Sequence, residues 1–280
     1  MGKKSISDFL EMKRKGQKIT YLTSYDYPTA SLAEKAGMDM LLVGDSLGMC
    51  VYGYDGTIPV TMDQMIYHSE AVRRGAPNTF VVGDMPFMSY QRNVDDAVYH
   101  AGRFYKEARV DAVKLEGGRR VIPQIKAIVD AGMLLMGHIG LNPQSSGQLG
   151  GFKAQGRTAE SAADLIKDAM AIQEAGAFAL LVEAIPPEVG GIITRKLSIP
   201  VLSIGAGLPC DGQLLIVSDM LGIFEAFTPK FVKKYGRLAE EMLKAFQEYI
   251  DDVQKERFPE EKHTYRLFPG EFEKLSAMFP

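Results

Sequence analysis

The chain is poor in several of the features that announce a function class. Only two cysteines, Cys50 and Cys210, occur in its 280 residues. Their spacing fits neither a disulfide framework nor a zinc motif, so a reducing, cytoplasmic setting is the expectation. Neither sign of charge is in excess: 32 Lys and Arg stand against 35 Asp and Glu, a formal net charge of -3. That balance gives no footprint for a nucleic-acid partner. The local cluster Lys13-Arg14-Lys15 with Lys18 is short enough to be a solvated helix end. No apolar run approaches the roughly 20 residues that span a bilayer. The first residues lack the apolar core of a secretory signal, and Asp8 and Glu11 argue against a transit peptide.

Short apolar runs, by contrast, recur along the whole chain, and several end in an acid. Met40-Leu-Leu-Val43 stops at Gly44 and delivers Asp45 and Ser46. Phe80-Val-Val-Gly-Asp84, Ala112-Val-Lys-Leu-Glu116 and Leu180-Leu-Val-Glu183 repeat the arrangement. Runs of this length bounded by turn residues read as fully buried strands. Eight are predicted, over 19–24, 40–43, 79–83, 111–115, 133–138, 178–182, 200–204 and 214–217.

Helical signals fall between them. An amphipathic helix over 5–15 carries Ile6, Phe9, Leu10 and Met12 on one side. Pro28 opens a helix that closes at Gly37, and Thr61 to Gln64 forms a capping box for a helix running to Gly75. Asn93 caps a helix to Ala108, a further helix covers 121–130, Thr158 starts another, and 187–197 makes a short one. A long helix is expected from Pro229 to about Val253, with Phe231, Leu238, Met242, Phe246 and Ile250 as its apolar stripe. From Arg257 charge alternates with Phe and Pro, and 264–280 reads as a tail lying on the surface or on a neighbour.

Strands alternating with helices predict an α/β fold, a (β/α)8 TIM barrel forming one domain over 1–280 with an N-terminal helix and a C-terminal extension. A doubly wound open sheet is the alternative. The strand count and the missing dinucleotide glycine fingerprint after the first strand weigh against it.

In a closed parallel barrel every strand C-terminus opens onto one mouth. Side chains alternate along a strand, so Lys114 and Glu116 share a face and Val113 and Leu115 take the other. The charged pair is therefore expected inside the barrel, where a lysine needs an anionic partner or ligand. A simple internal ion pair satisfies that need as well. Asp45, Asp84 and Glu116 end consecutive strands, which lie about 4.8 Å apart, so their repulsion calls for protons or a cation. A hard divalent ion, Mg2+ most simply, suits oxygen ligands, although any one Asp after Gly can also be a turn residue or a cap. Glu183 stands apart from that cluster, either as a general base with a raised pKa or as a partner for a backbone or arginine group. His138 ends the fifth strand and either shapes the substrate site or is structural. Gly205-Ala-Gly207 is a candidate phosphate turn. A metal facing a base, with a lysine beside the metal, fits enolate chemistry on a 2-oxo acid.

Thr23-Ser-Tyr-Asp-Tyr27, Leu42-Val-Gly-Asp-Ser-Leu-Gly-Met49, Ala71-Val-Arg-Arg-Gly-Ala-Pro77, Lys114-Leu-Glu-Gly-Gly118 and Gly137-His-Ile-Gly-Leu-Asn-Pro-Gln144 together closely resemble the ketopantoate hydroxymethyltransferase family. The resemblance runs from about Ser5 to His263. It implies a barrel of the phosphoenolpyruvate/pyruvate superfamily, with Mg2+ at Asp45, Asp84 and Glu116. It also implies 2-oxo acid contacts from Asp45, Ser46, Asp84 and Lys114, and Glu183 as proton acceptor. The implied reaction takes 3-methyl-2-oxobutanoate to 2-dehydropantoate with 5,10-methylenetetrahydrofolate as one-carbon donor, in a homodecamer. The loops 47–60 and 139–157 are the candidates for holding the folate. A carbon–carbon lyase or mutase of the same superfamily is the nearest competitor, and the Lys-Lys-Cys-Gly-His run frequent in such lyases is absent here. A barrel kept for binding alone would be expected to lose mouth acids, and all are present.

Overall fold

Eight short strands close on themselves in the order of the sequence: β1 Ile19–Thr23, β2 Met40–Val43, β3 Phe80–Asp84, β4 Ala112–Glu116, β5 Leu135–Gly140, β6 Ala179–Glu183, β7 Val201–Ile204 and β8 Gly212–Leu215. The structure is a computed structural model that describes residues 2–148 and 150–280. Every pairing is parallel, and Ile19 beside Gly212 closes the ring between β1 and β8. Helices Tyr27–Lys35, Met62–Gly75, Val94–Arg103, Ile122–Asp130, Ala159–Glu174 and Pro187–Lys196 fall between the strands. Several start where a side chain accepts an otherwise orphaned N–H: Asp26 from Thr29, Thr61 from Gln64, Asn93 from Asp96 and Thr158 from Ser161.

The two faces of each strand bury against different partners. Tyr21, Met40, Phe80, Val82, Met136 and Leu181 fill the barrel interior. Leu41, Val81, Val113, Leu115, Leu180 and Val182 lie under the helices. Strands buried on both faces have no polar positions to alternate, which is why these runs are continuously apolar. Gly83 interrupts one of them for a steric reason: a Cβ there would sit 2.5 Å from Cδ1 of Phe104. The helix Ile6–Arg14 precedes β1 and sends Phe9 into the interior cluster, edge-on to Phe80 with ring centroids 5.2 Å apart. It stoppers the end of the barrel away from the mouth.

Three expectations are corrected. The last strand lies at Gly212–Leu215, two residues before the predicted 214–217, because the chain turns at Val217, whose N–H donates to Thr23 Oγ1 at 2.9 Å. The helix expected to Ala108 finishes in a wider π-type turn over Phe104–Ala108, ending at Arg109 with φ 54°. The helix expected from Pro229 begins at Leu238 and runs to Gln254. Residues 229–237 instead fold back on the short helix Val217–Met220. There Tyr235 N–H donates to Met220 O at 2.7 Å and Leu238 N–H to Leu221 O at 2.9 Å. Phe231 thereby leaves the apolar stripe and enters the barrel mouth. The helix Leu238–Gln254 has no buried residue, and Met242, Phe246 and Ile250 are exposed along it. The tail 264–280 has no buried residue either and carries one short helix, Glu271–Met278. Among the described residues, no helix is long and apolar enough to cross a membrane.

The stopper predicts a measurable cost. Phe9→Ala should destabilise the fold by about 3–5 kcal/mol, read as a lower denaturant midpoint at unchanged slope. A loss below about 1 kcal/mol would mean that the barrel end collapses freely onto the gap.

Candidate active site

The side chains singled out in the sequence meet at the strand C-termini. Asp84, Glu116 and Glu183 are the last residues of β3, β4 and β6. Asp45 and Ser46 follow β2 across Gly44, and His138 in β5 is in register with Glu116. All of them, with Lys114, line one cavity of about 910 Å³ counted to its open mouth. Asp45, Asp84, Lys114, Glu116 and His138 are each at most 3 % exposed.

Lys114 organises this cluster. Its Nζ lies 2.7 Å from Asp84 Oδ1, 3.2 Å from His138 Nδ1 and 3.9 Å from Glu116 Oε1. Burial alone would lower its pKa, but Asp84, Glu116 and Asp45 outweigh burial and hold it above the usual lysine value. Burial pushes Asp84 up to about 7 against the pull of Lys114. It pushes Glu116 to about 7 against the same pull, and Asp45 to about 6 with Glu116 adding to the rise. Four mouth carboxylates, counting Glu183, thus face one ammonium.

That deficit is what a cation would relieve. Asp84 Oδ1 is buried without an aligned hydrogen bond even though Lys114 is near. The backbone N–H of Asp45 donates to Asp84 Oδ2 at 3.2 Å, holding the first two acids together. All the available donors are oxygens, which fits a hard divalent ion. Among the described residues no three His, Cys, Asp or Glu side chains form a complete cage. Lys114 stands between Asp84 and Glu116, and Glu116 Oε2 accepts the Gln144 N–H at 3.1 Å. An incomplete cage suits magnesium, which commonly binds one or two carboxylates and leaves places for water and substrate.

Glu183 and His138 form the other side. His138 Nε2 is 3.1 Å from Glu183 Oε2, but too far out of line for a well-formed hydrogen bond. Burial and the neighbouring Lys114 lower the His138 pKa to about 4, so the ring is neutral. An ammonium can only donate, hence Nδ1 accepts from Lys114 and the proton sits on Nε2, facing Glu183. Burial raises the Glu183 pKa, opposed by His138. A carboxylate so placed takes up a proton more readily than one in water.

Sequence reasoning passed over the residue that ties the acids together. Gln144 donates through Nε2 to Asp45 Oδ2 and Met85 O, both at 2.9 Å, and accepts at Oε1 from Tyr90 Oη at 2.8 Å. It sits in the loop after β5, of which residue 149 lies outside the described residues. Its place at the end of the motif from Gly137 was the only signal; Tyr90 offered none. Ser46 Oγ is 2.8 Å from Tyr25 Oη. Gly205 and Gly207 have φ 75° and 90°, and a Cβ on either would come within 2.7 Å of Phe231 or Pro187. Close packing accounts for that pair of glycines without a phosphate.

Comparison with known proteins bears on the same residues. The family model described as ketopantoate hydroxymethyltransferase matches residues 3–261. The 3-methyl-2-oxobutanoate hydroxymethyltransferase of Alkaliphilus metalliredigens (strain QYMF) is 62% identical over 279 residues, 99% of each chain. The protein of that name from Moorella thermoacetica is 53% identical over 255 residues, 91% of this chain and 95% of its own. Among solved structures, phosphonopyruvate hydrolase complexed with oxalate and Mg++ has a TM-score of 0.60 at 13% identity, covering 99% of this chain and 96% of that one. The 2,3-dimethylmalate lyase, a PEP mutase/isocitrate lyase superfamily member, has a TM-score of 0.58 at 17% identity, covering 98% and 97%. These two share the fold.

The raised carboxyl pKa values set the pH dependence of stability. Asp45, Asp84 and Glu116 hold protons more tightly folded than unfolded, so their contribution is present below about pH 4 and lost as pH rises through 6 to 7. His138 opposes them, gaining stability between pH 4 and 6.5, but as a single group. In chelator the melting temperature should fall from pH 5 to pH 8, and added magnesium should raise it more at pH 8 than at pH 5. Thermal scans showing an equal magnesium effect at both values would contradict this account.

Proposed function

The chain belongs to the ketopantoate hydroxymethyltransferase family, and from that footing we propose that it transfers a hydroxymethyl group to 3-methyl-2-oxobutanoate, giving 2-dehydropantoate on the route to pantothenate. The lyase or mutase alternative and the non-catalytic barrel fall with the family assignment. The observation that carries the reading is the pairing of a partly buried base, Glu183, with a separate cluster of buried acids around one lysine.

In this reading Asp45, Asp84 and Glu116 would hold a magnesium ion. When bound, that ion supplies neutralisation of the keto and carboxylate oxygens of the 2-oxo acid and of the charge that grows on enolisation. Ser46 and Lys114 orient the substrate carboxylate, the first as a donor and the second as a fixed positive charge. Glu183 removes the proton from C3, and its raised pKa suits a group that must take up a proton near neutrality. The neutral ring of His138 keeps Glu183 and Lys114 apart without adding a charge between them. Gln144 holds Asp45 and Glu116 in place during this exchange of charge.

The nucleophilic C3 then bonds to the methylene carbon of 5,10-methylenetetrahydrofolate. One of that carbon's two bonds to nitrogen breaks as the new bond forms. Water then displaces the second nitrogen to leave the hydroxymethyl group, and the protons given up by C3 and by water complete the tetrahydrofolate that is released. Two free cysteines, one of them buried, support a cytoplasmic setting. The exposed apolar stripe of Met242, Phe246 and Ile250 supports self-association, and the family resemblance implies ten copies.

Two measurements test this. In heavy water with magnesium and no folate, NMR should show exchange of the C3 proton of 3-methyl-2-oxobutanoate. Glu183→Gln should slow it by roughly 10²- to 10⁴-fold, and exchange at the wild-type rate in that variant would remove Glu183 from the role. Light scattering should give a mass near ten times 30.8 kDa, and Phe246→Glu should lower it; a monomeric wild-type chain would refute the assembly.

A further inference from the structure

Part of the cavity wall carries none of the groups assigned to the 2-oxo acid. Around the ring of strand ends, the charged groups come from β2 to β6. On the remaining arc, Ile204 from β7 and Leu214 from β8 line the cavity with Ile216, and the chain beyond adds Phe224, Phe227 and Phe231. This wall is apolar except at Asp219, on the short helix after β8.

Asp219 is 5 % exposed, and among the described residues its carboxylate enters no hydrogen bond and no ion pair. Among the described residues Lys234 is the one cation that acts on it, and burial still pushes its pKa up to about 6. Neither Tyr25 nor Cys50, the nearest titratable neighbours toward β1 and β2, neutralises it. An unpaired carboxylate on an apolar wall is costly to keep. Its two oxygens can accept a pair of parallel N–H groups from the edge of a flat ring, the strongest geometry open to a carboxylate. The aromatic side chains beside it offer the matching surface for the ring's face.

Taking the proposed reaction as its basis, we infer that Asp219 receives the 2-amino and N3–H edge of the reduced pterin of the one-carbon donor, with Phe224, Phe227 and Phe231 as the wall along which that ring lies. The position agrees with the chemistry. Asp219 lines the same cavity as Asp45 and Glu183, so a ring anchored there lies in the chamber that holds the acids of β2 to β6. The acids of β2 to β4 and the carboxylate after β8 then serve two different substrates. Charge on one side activates the 2-oxo acid, and a single hydrogen-bonding carboxylate on the other sets the direction of the pterin.

The test uses the full chain with magnesium and 3-methyl-2-oxobutanoate, titrated calorimetrically under argon with tetrahydrofolate and with its 2-desamino analogue. Wild type should prefer tetrahydrofolate by roughly 10- to 100-fold, the worth of a hydrogen bond to a charged group. Asp219→Asn should weaken tetrahydrofolate by a similar factor and bring the ratio of the two ligands close to one. Because the ratio is internal to each protein, a general loss of fold does not imitate it. If the variant fails to fold, the wild-type ratio decides alone. Equal affinity of wild type for both ligands, or an undiminished ratio in Asp219→Asn, would overturn the assignment. Wild type that exchanges the C3 proton and binds tetrahydrofolate without discrimination would count against Asp219 only. Wild type that does neither would count against the reaction itself.

Discussion

Lys114 is sealed at the mouth of the barrel with its ammonium against Asp84, its second carboxylate neighbour Glu116 further off, and the imidazole of His138 on its remaining side. Breaking a buried pair of this kind leaves an uncompensated charge, which is far costlier than never burying it. The surrounding residues are arranged under that constraint. Asp45 bonds through its backbone to Asp84, and Gln144 reaches from Asp45 to Glu116. His138 stays neutral because burial disfavours its charged form and Lys114 beside it repels a second cation. The pocket is left with more carboxylates than one lysine can pair with, and the proposed cation site rests on that surplus.

The cavity then divides by charge. From β2 to β6 it is acidic and hydrogen-bonded; from β7 onward it is apolar with one carboxylate. The proposed reaction, which joins a small anionic acid to a flat heterocyclic donor, calls for such a division. The acid must be polarised in one place, and the donor must be oriented in another, close enough for two carbons to meet. The fold supplies both from one ring of strand ends. The segment after β8 supplies the aromatic side chains that extend the ring's mouth.

Much of this is legible in the sequence. Continuous apolar runs at regular intervals identified the strands, because a strand buried on both faces has no polar positions. Parity alone turned Lys114 and Glu116 inward, since Val113 and Leu115 had to meet the helices. Acids at successive run ends pointed to one crowded mouth. Gln144 was not legible as a site residue, because a glutamine after a proline in a glycine-rich loop is ordinary in sequence and becomes central only when the loop folds over β3 and β4. Phe231 was misassigned to a helical stripe for a similar reason. Its spacing to Leu238 is helical, but hydrogen bonds from 235–239 back to the chain after β8 hold 229–237 in another shape.

The sequence by itself determined that eight apolar runs are strands, which faces of those strands are apolar, and that Asp45, Asp84, Lys114 and Glu116 lie at one barrel mouth. These follow from local periodicity and from the closure that eight such units impose. Tertiary structure alone decided that Lys114 leans to Asp84 rather than Glu116, that His138 lies between Lys114 and Glu183, and that Asp219 faces the same cavity from a separate turn. Those outcomes depend on distances of a few ångströms between groups far apart in the chain. Hydrogen bonding and the energy of buried charge vary steeply over that range, and no pattern of neighbouring residues encodes it.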